Sequence, residues 1–306
     1  MNVATLKAIA HTHAVSEEEV AARERRLASL ATHTFVPRGC GVAYLGACPD
    51  ERYTALVAVS NNVDGTIALL RTEWTRPGSV ATVVAVSGPF NFVGTPGGIC
   101  AVPGTQDVLL AECGAHVIRR VHVSSGTTTQ LLGTFFVRHP QYVHCNADAI
   151  AVSSSNHRVY LLSWADELLA VCRLPLQQFE PRGLRLLPSG GMVVVDASSC
   201  RLIVFSRAGA VTGVVPDTGL DSVGMADVEV LSDGSYVTLS SSSGMVSKRD
   251  PVTGMVHARL NIMPGALCRA SDALVTAPTA MTVLPDGALL VRGNGAQPMC
   301  GVIMRA

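Results

Sequence analysis

Lysine is almost absent from this chain of 306 residues, which contains only Lys7 and Lys248. A phosphate-binding Walker loop needs a lysine between Gly and Ser or Thr, and neither lysine stands in such a frame. Schiff-base catalysis would have to use one of the two. Charged residues make up 15% of the chain, and 23 basic and 23 acidic residues give a net charge of zero. No overall field therefore attracts a phosphate backbone or an anionic lipid surface.

Motifs for metal binding, secretion and membrane insertion are missing as well. The nine cysteines never form Cys-x-x-Cys, which argues against zinc-ribbon and thioredoxin sites. There is no Asn-x-Ser/Thr sequon, no apolar core of a signal peptide at the N-terminus, and no run of 18 apolar residues. Together with the odd number of cysteines, these absences predict an intracellular, reducing, cytoplasmic location with free thiols and no membrane association.

What is present favours strands. Hydrophobic residues make up 48% of the chain, which is typical of a protein with a large core. Period-two alternation with β-branched residues occurs at 53–60, 107–112, 191–197, 235–240 and 287–293. The pairs that accept the positive φ of a tight hairpin turn are Ser189-Gly190, Asp233-Gly234 and Asp286-Gly287.

One sequence unit recurs along the chain. It has a Pro-x-Gly-like entry, a strand, a turn, a second strand ending in a polar residue, a short polar break, and two further strands. Six copies fit, with entries at Pro37, Pro96, Pro140, Pro181, Met225 and Pro278, separated by 59, 44, 41, 44 and 53 residues. Repeats of about 40–45 residues with four strands indicate β-propeller blades. We therefore expect an all-β, six-bladed β-propeller as a single domain, 1–306; the alternative is a two-domain sandwich.

The break before the third strand carries a family resemblance. It reads ECGAHVIRRV at 112–121, SSSNHRVYLLS at 153–163 and DASSCRLIVF at 196–205. This pattern resembles the NHL-repeat family, named for an Asn-His-Leu run that stands here as Asn156-His157-Arg158. The resemblance covers most of the chain in spacing and few positions in identity, and it implies the propeller fold. Among similar propellers, amidating lyases use histidines from different blades for a metal, gluconolactonase-type enzymes bind calcium, and NHL propellers bind RNA.

Three segments fall outside the regular units. Residues 16–31 predict one short N-terminal surface helix, at about 17–31, because Ser16 and Glu19 form a capping box. Its narrow apolar side indicates a helix lying on the propeller, and the alternative is an amphipathic helix that binds a partner. Residues 261–277 predict an insertion on the same face. Residues 2–10 alternate, and we expect them to close the last blade by pairing with residues 299–305, since closed propellers avoid open strand edges.

Candidate site residues cluster where second strands end. These are Ser60, Glu112, Ser153, Asp196, Ser240 and Arg292. Two carboxylates and an arginine among hydroxyls could bind a polar ligand at the channel mouth; alternatively, they join blade to blade through backbone hydrogen bonds. The nine histidines show no pair at helical spacing and predict no metal site. The candidate ligand- or partner-binding residues are Arg38, Glu112, Arg182, Asp196, Arg292, Arg23 and Arg26.

The functional hypothesis follows from these patterns. A non-enzymatic interaction scaffold would dock a protein partner, within a larger assembly, through the face that carries the helix and the 261–277 insertion. The alternative is a metal-dependent hydrolase or a lactonase-like propeller enzyme with its site at the channel mouth. We expect no cofactor and no catalytic residue. An aromatic content of 5% argues against nucleic acid as the partner, and nothing indicates self-association.

Overall fold

The computed structural model of the chain describes thirteen stretches, which we call the described residues. They are 41–46, 54–61, 66–73, 82–91, 96–122, 127–132, 137–174, 179–216, 224–261, 278–284, 287, 289–293 and 300–302. Every regular element among them is a strand, and none of them forms a helix that could span a membrane.

The strands form antiparallel sheets that follow one another along the chain, and we number these sheets in chain order. Sheet 1 contains β1 (Gly41–Gly46), β2 (Thr54–Asn61), β3 (Thr66–Glu73) and β4 (Thr82–Asn91). Sheet 2 contains β5 (Pro96–Ala101), β6 (Asp107–Glu112), β7 (Val117–His122) and β8 (Thr128–Leu132). Sheet 3 contains β9 (Pro140–Cys145), β10 (Ile150–Ser154), β11 (Arg158–Leu162) and β12 (Leu168–Cys172).

The second half of the chain repeats this order. Sheet 4 contains β13 (Pro181–Leu186), β14 (Met192–Asp196), β15 (Arg201–Phe205) and β16 (Val211–Val215). Sheet 5 contains β17 (Met225–Val230), β18 (Tyr236–Ser240), β19 (Met245–Arg249) and β20 (Val256–Asn261). Sheet 6 contains β21 (Pro278–Val283), β22 (Leu289–Gly293) and β23 (Cys300–Val302).

The first strand of each sheet is the inner strand of a ring. Each inner strand contacts the inner strand of the next sheet, and β21 of sheet 6 contacts β1 of sheet 1. Sheets arranged radially around such a ring form a β-propeller. The third strand of sheet 6 pairs with β22, with Val291 opposite Cys300. Residues 2–10, 16–31 and 262–277 lie outside the described residues, so the closing strand, the helix and the insertion stay predictions, as does the complete blade count.

Five of the inner strands begin at the residues that open the repeated sequence unit, from Pro96 to Pro278. A glycine follows two residues later in sheets 2 and 4 because neighbouring inner strands nearly touch there. A Cβ on Gly98 would lie 2.8 Å from the Cα of Tyr142, and one on Gly183 would lie 2.6 Å from the Cα of Asp227. The Pro-x-Gly entry therefore has a steric cause in the spacing between the sheets.

The core consists of apolar layers between successive sheets. Leu109 and Ile118 of sheet 2 pack with Val152 of sheet 3, and all three side chains are buried. Phe205 of sheet 4 packs in the same way on the layer that contains Leu161 of sheet 3. Burial of apolar surface contributes about 25 cal/mol per Å² to each interface. Apolar contacts between successive sheets are therefore the main interaction that holds the ring together.

Candidate interaction surface

The propeller has two sides that differ in which turns they carry. We call upper the side on which the second strand of a sheet turns into the third, and lower the side of the other two turns. The fourth strand of a sheet ends on the upper side, and the inner strand of the next sheet begins there. In sheet 3, for example, Ser154 pairs with both Pro140 and Arg158 at the upper end. Loops on a rigid scaffold are the usual place for binding residues.

The turn into the third strand has one recurring backbone feature. The residue just before the third strand has a positive φ in sheets 2, 3 and 4, at His116 (58°), His157 (63°) and Cys200 (54°). Gly244 takes the same place in sheet 5, with φ at 64°. The histidine of the Asn156-His157-Arg158 run therefore marks a turn position that requires left-handed backbone, which costs least at glycine.

Glu112 closes the second strand of sheet 2 and is fully buried. Its carboxylate accepts a hydrogen bond from Nε of Arg119, which stands on the neighbouring strand β7. The ion pair lies within one sheet, so the charge of Glu112 is neutralised by the neighbouring strand.

Asp196 closes the second strand of sheet 4 and is also fully buried. Its carboxylate accepts hydrogen bonds from the backbone N–H of Glu180 at 3.1 Å and from the hydroxyl of Ser198 at 2.7 Å, as well as from the hydroxyl of Ser199. Nε of Arg201 lies 3.6 Å away. These donors hold the turn of sheet 4 and the entry to its inner strand in place.

The hydroxyl of Ser60 joins two sheets instead of one turn. It donates to the carbonyl of Gly97 in sheet 2 at 2.6 Å. Ser240 accepts within its own turn, from the backbone N–H of Ser243 at 3.2 Å. Ser153 is buried in β10. The polar residues at the ends of these second strands are therefore buried side chains of the scaffold.

The remaining predicted site residues lie apart from these. Arg182 is on β13 and pairs with Glu180 at 2.8 Å, with both side chains exposed. Arg292 lies on β22. Arg23, Arg26 and Arg38 lie outside the described residues, so their part in a site stays a prediction.

Histidines connect sheet 2 to sheet 3 and sheet 3 to sheet 4 on the upper side. The rings of His116 and His139 meet edge to face with centroids 4.0 Å apart, and the backbone N–H of His139 donates to Nδ1 of His116. Nδ1 of His157 donates to the carbonyl of Phe179 at 2.6 Å. These contacts fix the turns on which the neighbouring arginines stand.

Three arginines, which we call the upper arginines, follow the upper edge of sheet 3. Arg138 precedes β9, Arg158 opens β11 and Arg173 follows β12, and all three residues are exposed. None of the three forms an ion pair with another described residue, whereas Arg119 and Arg182 each have a carboxylate partner. This row was not among the sequence-predicted residues.

Carboxylates without an ion-pair partner lie on the lower side instead. Asp148, Asp166 and Glu167 stand in the two lower turns of sheet 3, and Asp250 stands in a lower turn of sheet 5. None of the three in sheet 3 forms an ion pair with another described residue, whereas Asp250 interacts electrostatically with His257. In sheet 3, the unpaired arginines thus lie on the upper side and the unpaired carboxylates on the lower side, whereas sheet 4 carries an exposed arginine, Arg207, in a lower turn.

The lower side of sheet 5 has a shallow depression of about 510 Å³. It is lined by Asp233, Ser235, Lys248, Asp250, Pro251, His257 and Ala258. Nζ of Lys248 donates to Asp233 at 2.8 Å, and this contact together with the hydroxyl and N–H of Ser235 lowers the pKa of the Asp233 carboxyl. Lys248, one of the two lysines of the chain, is thus ion-paired in the lining of this depression.

A charged cluster lies at the centre of the ring, which we call the central cluster: Arg185, Asp227 and Glu229. Nη2 of Arg185 donates to Glu229 at 2.6 Å and to the carbonyl of Met281 at 3.1 Å, and its Nη1 lies 3.4 Å from Asp227. The backbone N–H of Met281 donates to Asp227 at 3.0 Å. One side chain from sheet 4 thus joins sheets 5 and 6.

Burial shifts the titration of the two carboxyls in this cluster. It raises the pKa of both Asp227 and Glu229, and the nearby Arg185 opposes the rise. Asp227 accepts bonds from the backbone N–H groups of Val228 and Met281, which favour its ionised form. Neither residue was predicted from the sequence as part of a site.

His144 lies next to this cluster on β9, and its pKa carries a testable consequence. Nδ1 accepts from the backbone N–H of Leu186 at 3.2 Å. Burial, and then the charge of Arg185, lower the pKa of His144 from 6.5 to about 3. Between these values the unfolded chain binds the proton and the folded chain does not, so stability falls as the pH falls below about 6.5.

Between pH 7.5 and pH 5, we expect the wild type to lose up to about 2 kcal/mol more stability than His144→Gln, because the variant has no buried histidine at this position. The measurement is the free energy of unfolding in urea at both pH values. Asp227 and Glu229 respond in the opposite direction, but they are present in both proteins and cancel in the comparison. His257→Gln, at an exposed histidine of β20, is the control. Equal pH dependence in the two variants would contradict this account of His144.

Within the described stretches, no three His, Cys, Asp or Glu side chains come together as a metal site would require. Five cysteines are free thiols: Cys100, Cys113, Cys145, Cys172 and Cys200. Those of Cys100 and Cys145 lie 3.5 Å apart between β5 and β9, and both are buried.

Comparison with known proteins defines the fold. No family model matches the chain, and no curated protein matches its sequence. A streptogramin B lyase structure matches with a TM-score of 0.60 at 13% identity, and the match covers 90% of this chain and 95% of the lyase chain. The chain has a β-propeller fold. The virginiamycin B lyase of Staphylococcus aureus has a TM-score of 0.58 at 9% identity, over 87% of this chain and 95% of that one.

A WD40 propeller is similar to about the same degree. The WD40 β-propeller domain of Doa1 has a TM-score of 0.57 at 13% identity, over 85% of this chain and 77% of that one. Identities this low show the shared propeller fold alone, since one fold supports many functions.

Proposed function

We propose that this chain is a six-bladed, NHL-like propeller that acts as a non-enzymatic interaction module. It docks a protein partner through its upper side, where the predicted helix at 16–31 and the insertion at 261–277 would also lie. The observation that supports this is the state of the two buried carboxylates at the ends of second strands. Glu112 and Asp196 already accept hydrogen bonds from donors of their own sheets, while arginines on the same side remain exposed.

The lyases among the structural neighbours keep the alternative open. A metal-dependent hydrolase or a lactonase-like enzyme would need polar ligands that converge on the channel mouth. Glu112 and Asp196 were the sequence-predicted candidates for this role, and each is bonded to an arginine or a hydroxyl of its own sheet. We therefore favour the interaction module over the enzyme.

Purification of the tagged, full-length protein from its native cells tests this proposal. We expect one or a few proteins to co-purify in stoichiometric amounts, compared with a tag-only control by mass spectrometry. Metal analysis of the same preparation addresses the alternative. Recovery of the protein alone, or with stoichiometric calcium or zinc, would contradict the interaction module.

A further inference from the structure

We propose that the upper arginines, Arg138, Arg158 and Arg173, form the binding site for an extended acidic segment of a protein partner. The inference rests on the proposed function and specifies the chemistry of that partner. All three side chains stand on one edge of sheet 3, at the end where its upper turn and its two connections meet.

The charge of these arginines is available for binding. Other arginines on the upper side have carboxylate partners: Arg119 pairs with Glu112, Arg182 with Glu180, and Arg201 lies near Asp196. The three on sheet 3 are exposed and have no such partner among the described residues. Arginine is well suited to bind carboxylates, because its planar guanidinium can donate two parallel hydrogen bonds.

The spacing of the row fits an extended chain better than a small anion. Arg138 precedes the first strand, Arg158 opens the third and Arg173 follows the fourth. Strands in a sheet are about 4.8 Å apart, so the row extends about 15 Å across the sheet. A single carboxylate or phosphate cannot contact charges this far apart. An extended segment of about five residues covers the same distance.

The two edges of sheet 3 differ in their charge, and only the upper edge suits an acidic segment. The lower turns of sheet 3 carry Asp148, Asp166 and Glu167, which repel an acidic segment. The upper edge attracts it. In sheets 2 to 5, no described Phe, Tyr or Trp on the upper side is exposed, whereas base stacking by a single-stranded nucleic acid would require exposed aromatic rings. The chemistry therefore favours an acidic peptide over RNA.

The test uses a labelled peptide and fluorescence anisotropy. The probe is a fluorescein-labelled ten-residue peptide in which glutamate alternates with serine, titrated with full-length protein at 50 mM NaCl. We expect Arg138→Gln/Arg158→Gln/Arg173→Gln to weaken binding about tenfold, since each exposed ion pair makes a small contribution. Arg207→Gln, at an exposed arginine in a lower turn of sheet 4, is the matched control for Arg158→Gln and should leave binding unchanged.

Three results with the purified protein would overturn the inference. The first is equal peptide binding by the wild type and the triple variant. The second is tighter binding of a ten-nucleotide poly(U) RNA than of the peptide, with loss in the triple variant. The third is self-association in sedimentation experiments that Asp166→Asn/Glu167→Gln abolishes, because a second copy would then occupy the row. If the triple variant still captures the native partner, this inference fails while the proposed function stands.

Discussion

Replacing Arg185 with methionine is expected to lower the free energy of unfolding by about 3–5 kcal/mol, the usual effect of breaking a buried ion pair. Asp227 and Glu229 would lose their cation, and the link from sheet 4 to the Met281 carbonyl of sheet 6 would be lost. Methionine fills similar space, so the loss of charge and hydrogen bonds dominates. The measurement is urea unfolding followed by fluorescence or circular dichroism.

The pH dependence of the same variant separates charge from packing. Without Arg185 the pKa values of Asp227 and Glu229 rise further, so the folded protein holds their protons more tightly than the unfolded chain does. Stability contributed in this way is present at low pH and is lost as the pH rises. The destabilisation should therefore be larger at pH 8 than at pH 5.

Arg182→Met is the matched control, since it lies on the same strand in an exposed pair with Glu180. Exposed pairs contribute at most about 1 kcal/mol, and we expect a change no larger than this. Equal destabilisation by the two substitutions would show that the central cluster has no special structural role.

The strands were predictable because their signal is local. β6, β14 and β18 lie within the alternating stretches of the sequence, and the pairs Ser189-Gly190 and Asp233-Gly234 place a glycine with φ of 83° in the lower turns. Side-chain alternation and left-handed turn residues depend only on neighbours in the chain.

The central cluster was not predictable in this way. Arg185 stands 42 and 44 residues from Asp227 and Glu229, and these pairings exist only once inner strands from different sheets face one another. One signal could have indicated them. In LRL at 184–186 and DVEV at 227–230, charged residues stand next to apolar ones on inner strands, where a buried charge needs a partner.

The upper arginines were missed for a different reason. The repeated unit points to the polar ends of the second strands, such as Glu112 and Asp196, whose polarity serves the turns. Arg138, Arg158 and Arg173 belong to a connection, a third strand and the end of a fourth strand. Only the folded sheet brings these positions to one edge.

Gly183→Ala should destabilise the protein by about 3 kcal/mol or more, at the upper end of the range for overpacking. A Cβ at this position would lie 2.1 Å from Oδ1 and 2.6 Å from Cα of Asp227, and 2.9 Å from the carbonyl of Ala226. Two of these atoms belong to the backbone of the next inner strand, so no side-chain rotation relieves the contact. Sheets 4 and 5 would have to separate, and this would also pull Asp227 away from Arg185.

Gly213→Ala provides the control for the intrinsic effect of adding a methyl group to a strand. Gly213 lies on the outer strand β16, where a new Cβ would be 3.7 Å from the nearest atom, on Val204, which is an ordinary contact. Glycine inside a strand is unfavourable, so this substitution should leave stability within about 0.5 kcal/mol or raise it slightly. Thermal unfolding of both variants under one set of conditions gives the comparison. If Gly183→Ala and Gly213→Ala had the same melting temperature, the close approach of inner strands could not be the reason for glycine in the Pro-x-Gly entry.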